Sequence, residues 1–420
     1  MADIRVVVTG YGAVSALGEN VPEIWDAIMD YRVGYQPVAF ADPKIHARFF
    51  SLMEEKKSRY AGFPKAVLKM LPDFAKNALV ASREALTMAF GSSDAVQQQV
   101  QSPFDIGAII GTGWGGMDSV NRNNNDYRDS GMSSSFATLM SMHSVATAAI
   151  SLNWNIRGYT NTPVAACATG TIAIGDAYEV IRSGRAKVML AGGSESLKEV
   201  FNVWSIDVIQ ALSKEQGDVR RACCPFSARR SGFVLAEGAA ILCLEEREHA
   251  LARGAHIVGE ITGYGNYSDA YDMTAPAADL QARHRAIMRA MGDAGRGPAD
   301  IGYINLHGTS TPINDVNETN SIKSAFGDAA PGIPMSSTKS YTGHLIGAAG
   351  SLETIFCLKA METGIVPATI HLDEADPECD LDYTPNRHRH VGRIDAALNL
   401  SFGFGGANAA LVVARHPGQA

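Results

Sequence analysis

The chain has 420 residues, of which 46% are hydrophobic and 19% are charged, so it encodes a packed globular protein rather than a disordered one. Its formal net charge of −8 argues against a nucleic-acid-binding protein, whose affinity depends on Lys and Arg side chains that neutralise phosphates. The length suits two domains or one duplicated unit better than a single simple core.

Targeting and redox signals favour the cytoplasm. A strand-like run, Ile4–Thr9, comes almost first, with no basic segment and apolar stretch before it, and no apolar run is long enough to span a membrane. Among the cysteines there is no Cys-x-x-Cys pair and no spacing typical of zinc. We therefore expect a cytoplasmic protein with reduced thiols, no membrane insertion and no bound metal.

Apolar strand-like runs alternate with helix-like segments, as is typical of α/β proteins whose sheets are buried on both faces. In chain order the predicted strands are Ile4–Thr9, Ile106–Ile110, Val164–Ala166, Val188–Ala191, Ala239–Leu244, Ile257–Gly263, Ile301–Leu306, Pro334–Ser337, Ala396–Leu400 and Ala409–Ala414. The two parts of the chain have a similar alternation of strand-like and helix-like segments. This predicts a duplicated structure with halves at residues 1–250 and 251–420.

Cys167 is the first candidate for chemistry. It lies where the predicted strand Val164–Ala166 runs into a predicted helix, Thr171–Arg182. At such a junction the helix dipole and free N–H groups stabilise a thiolate, which is the reactive form of a cysteine nucleophile. The alternative is a buried structural cysteine, because free cysteine is among the most buried residue types.

Two histidines follow predicted strands in the second half. His307 comes at the end of one strand and precedes a turn rich in hydroxyl groups, where α/β sheets bind ligands. His344 and Lys339 lie after the next strand, at the entry to a helix of small residues, and Glu353 on that helix is placed to hold Lys339. Taken singly, each has an ordinary structural alternative.

Phe404 stands between glycines in the segment Ser401–Asn408. Glycine on both sides predicts an exposed backbone N–H and a mobile aromatic side chain. A tight glycine turn between two C-terminal strands is a compatible alternative.

Four blocks now occur in order: Cys-Ala-Thr-Gly, His-Gly-Thr-Ser-Thr-Pro, Thr-Lys-Ser-Tyr-Thr-Gly-His and Phe-Gly-Phe-Gly-Gly. They resemble the signature blocks of β-ketoacyl-(acyl carrier protein) synthases, closest to the type II synthases, and the similarity extends over nearly the whole chain. Any one block is weak, whereas four at family spacing are specific. The resemblance implies the thiolase fold, a five-layer αβαβα sandwich of two similar halves.

The resemblance also implies the activity: decarboxylative condensation of a cysteine-bound acyl group with malonyl-acyl carrier protein, giving 3-oxoacyl-carrier protein and CO₂. It assigns Cys167 as the nucleophile and His307 and His344 as the groups that promote decarboxylation. The backbone N–H groups of Cys167 and Phe404 would form the oxyanion hole, and Lys339 and Glu353 would support the electrostatics. No cofactor is implied, because phosphopantetheine is carried by the acyl carrier protein.

Substrate binding is assigned by the same resemblance to Thr309 and Thr311, which would hold the pantetheine arm, and to Thr274 and Trp114. Trp114 occupies a position where synthases often carry a smaller residue that lines the acyl pocket, so its indole is expected to shorten or redirect that pocket. Leu400 replaces the asparagine that usually precedes Ser-Phe-Gly-Phe. These departures keep open a specialised type II polyketide or polyene pathway beside fatty-acid elongation.

The expected partners are acyl carrier protein and malonyl-acyl carrier protein, with a homodimer or a heterodimer with a chain-length-factor subunit. The carrier is acidic, and Lys65, Lys69, Arg220 and Arg221 are candidates for its docking. One alternative is that the chain is a catalytically inactive chain-length-factor subunit. Such subunits usually lack the nucleophilic cysteine, so the presence of Cys167 disfavours this interpretation. A thiolase is a second rival, disfavoured because the late cysteines lie outside the late motifs.

Overall fold

A computed structural model describes residues 4–417, which form a large mixed β-sheet and the helices that cover it. The strands are β1 (Val6–Ser15), β2 (Gln36–Pro37), β3 (Phe49–Ser51), β4 (Ile106–Gly111), β5 (Thr160–Asn161), β6 (Val188–Glu195), β7 (Leu235–Ala236), β8 (Gly238–Glu246), β9 (Gly259–Ser268), β10 (Tyr303–Asn305), β11 (Met335–Ser336), β12 (Ile365–Val366), β13 (Arg389–His390), β14 (Ala396–Gly403) and β15 (Ala407–Ala414). The helices are α1 (Val21–Met29), α2 (Lys65–Leu68), α3 (Asp73–Phe90), α4 (Val96–Gln99), α5 (Met117–Ser130), α6 (Ala137–Ser141), α7 (Val145–Trp154), α8 (Thr169–Arg182), α9 (Val200–Asp207), α10 (Val219–Ala222), α11 (Arg247–Ala252), α12 (Gln281–Asp293), α13 (Pro312–Phe326), α14 (Lys339–Thr342) and α15 (Ala349–Thr363). Within the described range, no helix has both the length and the apolar character needed to cross a bilayer.

The large sheet is built from two halves with the same topology. Its strands run in the order β11-β10-β14-β15-β9-β1-β8-β6-β4-β5. β1 and β9 join the halves over a short antiparallel stretch, from the pair Val6 and Ile261 to the pair Val8 and Gly259. When the five strands of each half are numbered along the chain, both halves read 3-2-4-5-1 from the outer edge inward. The two similar halves that the sequence predicts therefore have the same order of strands.

Helices pack on both sides of each half. α8 and α15 lie together in the middle and share one apolar core with strands from both halves. α3 and α7 cover the outer face of the N-terminal strands, and α12 and α13 cover that of the C-terminal strands. The result is the five-layer αβαβα arrangement that the sequence predicts.

The two inner helices begin in the same way. A 3-10 turn, Ala166–Ala168, leads into α8, and an equivalent turn, Ile346–Ala348, leads into α15. The first residue of each turn has left-handed backbone, with φ of 46° at Ala166 and 48° at Ile346. This conformation is strained for residues other than glycine, so packing must hold both turns in place. Each turn therefore acts as a fixed elbow above an inner helix.

One predicted strand is wrong. Residues 164–166 form no strand, although Thr160–Asn161 pairs with β4 just before them. Val164 is 51% exposed and Ala166 is left-handed, so the apolar run describes the approach to the elbow. The strands predicted at Ile301–Leu306 and Pro334–Ser337 are present but shorter.

Gly193 on β6 shows how tightly the elbow above α15 is packed. A Cβ atom at this position would lie 2.0 Å from the carbonyl oxygen of Gly347. We therefore expect Gly193→Ala to lower the free energy of unfolding by about 1–3 kcal/mol or more, since the obstacle is backbone. Gly292→Ala, at an open position on α12, should leave stability unchanged or raise it by up to about 1 kcal/mol. Denaturant unfolding of both variants checks this, and equal stabilities would contradict the packing argument.

Candidate active site

Cys167 lies at the centre of the elbow that precedes α8. The turn is closed by the backbone N–H of Ala165, which donates to Thr169 Oγ1 at 2.8 Å, and Gly403 of β14 packs against it. The side chain is 5% exposed, and the backbone N–H groups of Phe404 and of Cys167 itself are directed at the sulfur. Two N–H groups thus converge where a reacting carbonyl oxygen would sit.

Burial disfavours the ionised form of the Cys167 thiol. Burial raises the pKa of Cys167 to about 12, and the nearby charge of Lys339 and the N–H of Phe404 lower it only in part. The proton must leave as the sulfur attacks, so a neighbouring acceptor or the departing group has to take it.

His307 follows β10, and its backbone is fixed by a buried carboxylate. The N–H groups of His307 and Gly308 donate to the two oxygens of Glu318, each at 2.7 Å. Asp315, also on α13, accepts from the N–H of Thr309 at 3.1 Å. Sequence reasoning missed both acids. The available signal was two acids three residues apart on the helix directly after the His-Gly turn.

His344 precedes the second elbow. The backbone N–H of His344 donates to the carbonyl of Val234 at 2.7 Å. The backbone N–H of Ile346 donates to the ring atom Nδ1 of His344 at 3.2 Å. Since Nδ1 accepts a hydrogen bond, the proton of the neutral ring must be on Nε2. Nε2 is buried and has no hydrogen-bond partner among the described residues. His344 therefore presents an unused donor.

The side chains of Cys167, His307 and His344 lie close together. One ligand-type atom from each of Cys167, His307 and His344 lies within 4.8 Å of the others, and the imidazole centroids are 5.4 Å apart at 83°. Burial is the main cause that brings the pKa of both histidines well below 6.5, and the charge of Lys339 adds to it. Both rings are therefore neutral at neutral pH. Sulfur and imidazole donors would also suit Zn²⁺, but a metal there would occupy the nucleophile.

Lys339 and Glu353 are in direct contact as a buried ion pair. Burial raises the pKa of Glu353 to about 7, against the lowering effect of the Lys339 charge. The pair places a cation beneath the two histidines and Cys167, where it favours the neutral imidazoles and the thiolate.

A cavity of about 510 Å³ opens onto Cys167, His307 and His344. The predicted residues Thr309, Thr311, Thr274 and Phe404 all line it. The hydroxyl groups of Thr309 and Thr311 lie 2.9 Å apart, and Thr274 is exposed at the mouth. These residues are placed to contact a substrate arm, and their roles stay predictions.

Trp114 lies outside this cavity. It packs against an apolar cluster that also contains Cys167, Val203 and Ile206. Its loop is held by Glu195, whose carboxylate accepts from the N–H groups of Gly113 at 2.6 Å and Trp114 at 3.3 Å. The same carboxylate accepts from Gly347 N–H at 3.2 Å, so one side chain ties the Trp114 loop to the second elbow.

The basic candidates do not line the mouth of the cavity. Lys65 and Lys69 border a separate surface groove of about 640 Å³, and Arg220 and Arg221 border a small one of about 70 Å³. Lys214 is the lysine that lines the cavity itself. The four expected docking residues thus border other grooves and do not line the cavity itself.

Loss of Lys339 should expose the cost of a buried, unpaired carboxylate. We expect Lys339→Met to destabilise the protein by about 3–5 kcal/mol, and the double variant with Glu353→Gln to recover much of that loss. We also expect slower alkylation of Cys167 by iodoacetamide at fixed pH, because the cation that lowers its pKa is gone. Thermal denaturation and intact mass measure these effects. A single variant as stable as the parent chain would contradict the analysis.

Comparison with known proteins identifies the family. Residues 3–250 match the β-ketoacyl synthase N-terminal domain and residues 258–373 match its C-terminal domain. The chain is 39% identical to a 3-oxoacyl-[acyl-carrier-protein] synthase 2 of Synechocystis sp. over 414 residues, which is 98% of each chain. It is also 39% identical to the protein of the same name in Staphylococcus aureus strain MRSA252, again over 98% of each.

Solved structures agree with this match. One solved structure is that of a type II polyketide acyl-carrier protein in complex with its ketosynthase. A chain of this structure matches with a TM-score of 0.89 at 32% identity, covering 99% of this chain and 100% of that chain. A β-ketoacyl synthase from Burkholderia phymatum gives 0.89 at 33%, covering 98% and 100%. The ishigamide ketosynthase/chain length factor gives 0.87 at 30%, covering 99% and 100%. With the thiolase fold and the Cys-His-His cluster in place, the chain belongs to the β-ketoacyl synthase family of condensing enzymes.

Proposed function

We propose that the protein is a 3-oxoacyl-(acyl carrier protein) synthase that joins a Cys167-bound acyl group to a malonyl unit with loss of CO₂. The observation that carries this proposal is the buried cluster of one thiol and two neutral imidazoles, with His344 Nε2–H unpartnered. Decarboxylation leaves an electron pair on carbon and negative charge on an enolate oxygen. Neutral donors fixed in a dry pocket stabilise such charge without reorganisation.

In the first half-reaction, Cys167 Sγ attacks the thioester carbonyl of acyl-carrier protein. The carbonyl oxygen becomes an oxyanion within reach of the N–H groups of Cys167 and Phe404. The C–S bond to pantetheine then breaks, and the thiol proton of Cys167 ends on the pantetheine sulfur. The acyl group remains on Cys167 as a thioester.

In the second half-reaction, malonyl-carrier protein enters the same cavity. CO₂ leaves, and the bonding electron pair stays on the α-carbon as an enolate whose oxygen accepts hydrogen bonds from His344 and His307. The α-carbon attacks the acyl carbonyl, a C–C bond forms, and the C–S bond to Cys167 breaks. The released thiolate takes up one proton. This route needs no metal or redox cofactor, and the pantetheine belongs to the substrate.

The partners are an acyl carrier protein and a second subunit. A structural relative described as a complex of a ketosynthase with its acyl-carrier protein supports the first. The short outer strand β5 ends the sheet, and exposed apolar residues such as Leu152 and Val164 lie near it, which supports pairing with another chain. Molar mass in solution, with and without a chain-length-factor subunit, distinguishes a homodimer from a heterodimer. The unbridged cysteines fit a reducing cytoplasm.

Cys167→Ala tests the proposal directly. We expect the parent protein to gain the mass of an acyl group when mixed with acyl-carrier protein, and to form 3-oxoacyl product when malonyl-carrier protein is added. The variant should form no adduct, and condensation should fall by about 10⁴-fold or more. Cys243→Ala, in the core of β8 away from the cavity, should acylate normally. If the parent chain loads no donor, alone or with a partner subunit, the proposed function is wrong.

The second candidate is a specialised type II polyketide or polyene pathway, and Trp114 is the observation that favours it. Its indole lies outside the reaction cavity but packs against the apolar cluster that contains Cys167, and this cluster is the proposed path of a growing acyl chain. One structural relative is a type II polyketide ketosynthase in complex with its acyl-carrier protein, and another is the ishigamide ketosynthase/chain length factor. The preferred donor, from two to sixteen carbons and saturated or polyunsaturated, distinguishes the two pathways.

Removing the indole should lengthen the acyl pocket. We expect Trp114→Ala to raise the ratio of long-donor to short-donor acylation by about tenfold, because a few methylene groups in an apolar pocket change binding by that order. Intact mass of Cys167 adducts measures the ratio. Phe104→Ala, an exposed aromatic on the surface, is the matched control. Equal acylation of the parent protein by short and long donors would overturn this role for Trp114.

A further inference from the structure

Arg283 is a buried cation at the wall of the reaction cavity. It lies in the first turn of α12, is 5% exposed and lines the same cavity as Cys167 and His307. Its guanidinium carbon is 4.0 Å from the centroid of the Phe402 ring. The Phe402 ring also lies against the His307 ring, with centroids 5.7 Å apart at 70°. Arg283 and His307 therefore flank one aromatic side chain.

Two of the three guanidinium nitrogens of Arg283 lack a hydrogen-bond partner among the described residues. These two atoms, Nε and Nη1, are buried. Glu318, Asp269 and Asp315 are the acids whose charges act on the guanidinium, and each forms hydrogen bonds with other groups. Glu318 holds the backbone of the His307 turn, and Asp269 accepts from Asn408 at 2.8 Å.

Asp315 is also occupied. It accepts from the N–H groups of Thr309 and Phe226, and it lies 3.5 Å from the guanidinium of Arg230. Leaving a charged group buried and unpaired costs several kcal/mol. A cation kept in this state beside a reacting group is explained if an anionic ligand supplies the missing acceptor.

We propose that Arg283 binds the free carboxylate of the malonyl group before that carboxylate leaves as CO₂. The acyl donor has no such charge, so this contact would distinguish the extender unit from the donor at a shared cavity. The proposal rests on the proposed function. It makes Arg283 a specificity residue at the end of the cavity formed by α12 and β14.

The loss of the carboxylate charge during decarboxylation determines how Arg283 affects KM and kcat. When the C–C bond to the carboxylate breaks, its electrons stay on the α-carbon and neutral CO₂ departs, so the charge that Arg283 holds disappears during the step. The contact is thus stronger in the bound substrate than in the transition state. Interactions of this kind lower KM without raising kcat.

Arg283→Met is the test, because methionine keeps much of the bulk that packs on Phe402 and removes the charge. With acyl-loaded enzyme, we expect KM for malonyl-carrier protein to rise about tenfold, a loss of about 1.4 kcal/mol, with kcat unchanged or higher. The rate of Cys167 acylation by a neutral donor should be unchanged. Arg283→Lys should restore part of the affinity. Arg289→Met, on the exposed face of α12, is the matched control and should leave both parameters unchanged.

Two results would overturn the proposal. One is a parental KM for malonyl-carrier protein in Arg283→Met. The other is a loss in acylation equal to the loss in condensation, which would mark Arg283 as a packing residue. If the methionine variant does not fold, the lysine variant decides: a KM change confined to malonyl-carrier protein supports the proposal, and an equal change for both substrates rejects it. If the parent chain fails to acylate Cys167, the proposed function itself has failed.

Discussion

The polar groups of Cys167, His307 and His344 share one pocket in which burial keeps both imidazoles neutral. Neutral groups do not hold one another in place by charge, so their loops must be fixed from the backbone. Glu318 does this for the His307 turn, and Glu195 does it for the elbow after His344. A carboxylate suits this task because its two oxygens accept several N–H bonds at once. The arrangement of the reacting groups thus depends on two acids that take no part in the reaction.

Lys339 adds a positive charge close to the cluster. Its contact with Glu353 keeps the cation in place, and its field works in the same direction on all three groups. It makes protonation of the histidines less favourable and ionisation of the thiol more favourable. A single buried pair therefore biases the cluster toward the protonation states that condensation requires.

The residues that act at the surface of the cavity could be predicted from local sequence. Cys167, His307, His344 and Phe404 each follow an apolar run at a glycine-rich turn, and the structure brings all four to one cavity. The acids and the arginine around them could not be predicted in this way. Glu318 and Arg283 lie on helices whose partners are distant in sequence, so their burial is a property of tertiary packing. The elbow at Ala166 was mistaken for a strand because hydrophobicity carries no information on a left-handed φ.

The duplicated topology has a consequence for how the protein divides labour between its halves. Ala166 and Ile346, Cys167 and Gly347, and Gly170 and Gly350 occupy equivalent places at the starts of α8 and α15. β6 and β14 are also equivalent strands, and Glu195 and Gly403 are their corresponding last residues.

In one half, therefore, the N–H at the centre of the elbow, that of Gly347, is taken by the carboxylate of Glu195. In the other half, the corresponding strand position is the side-chain-free Gly403, packed against the N–H of Cys167. Within residues 4–417, no carboxylate is shown to accept a hydrogen bond from that N–H, which fits the proposed contact with a substrate oxygen. The two halves therefore differ at one strand end: the Glu195 carboxylate fixes the second elbow, whereas Gly403 leaves space beside the first elbow, which carries the proposed nucleophile.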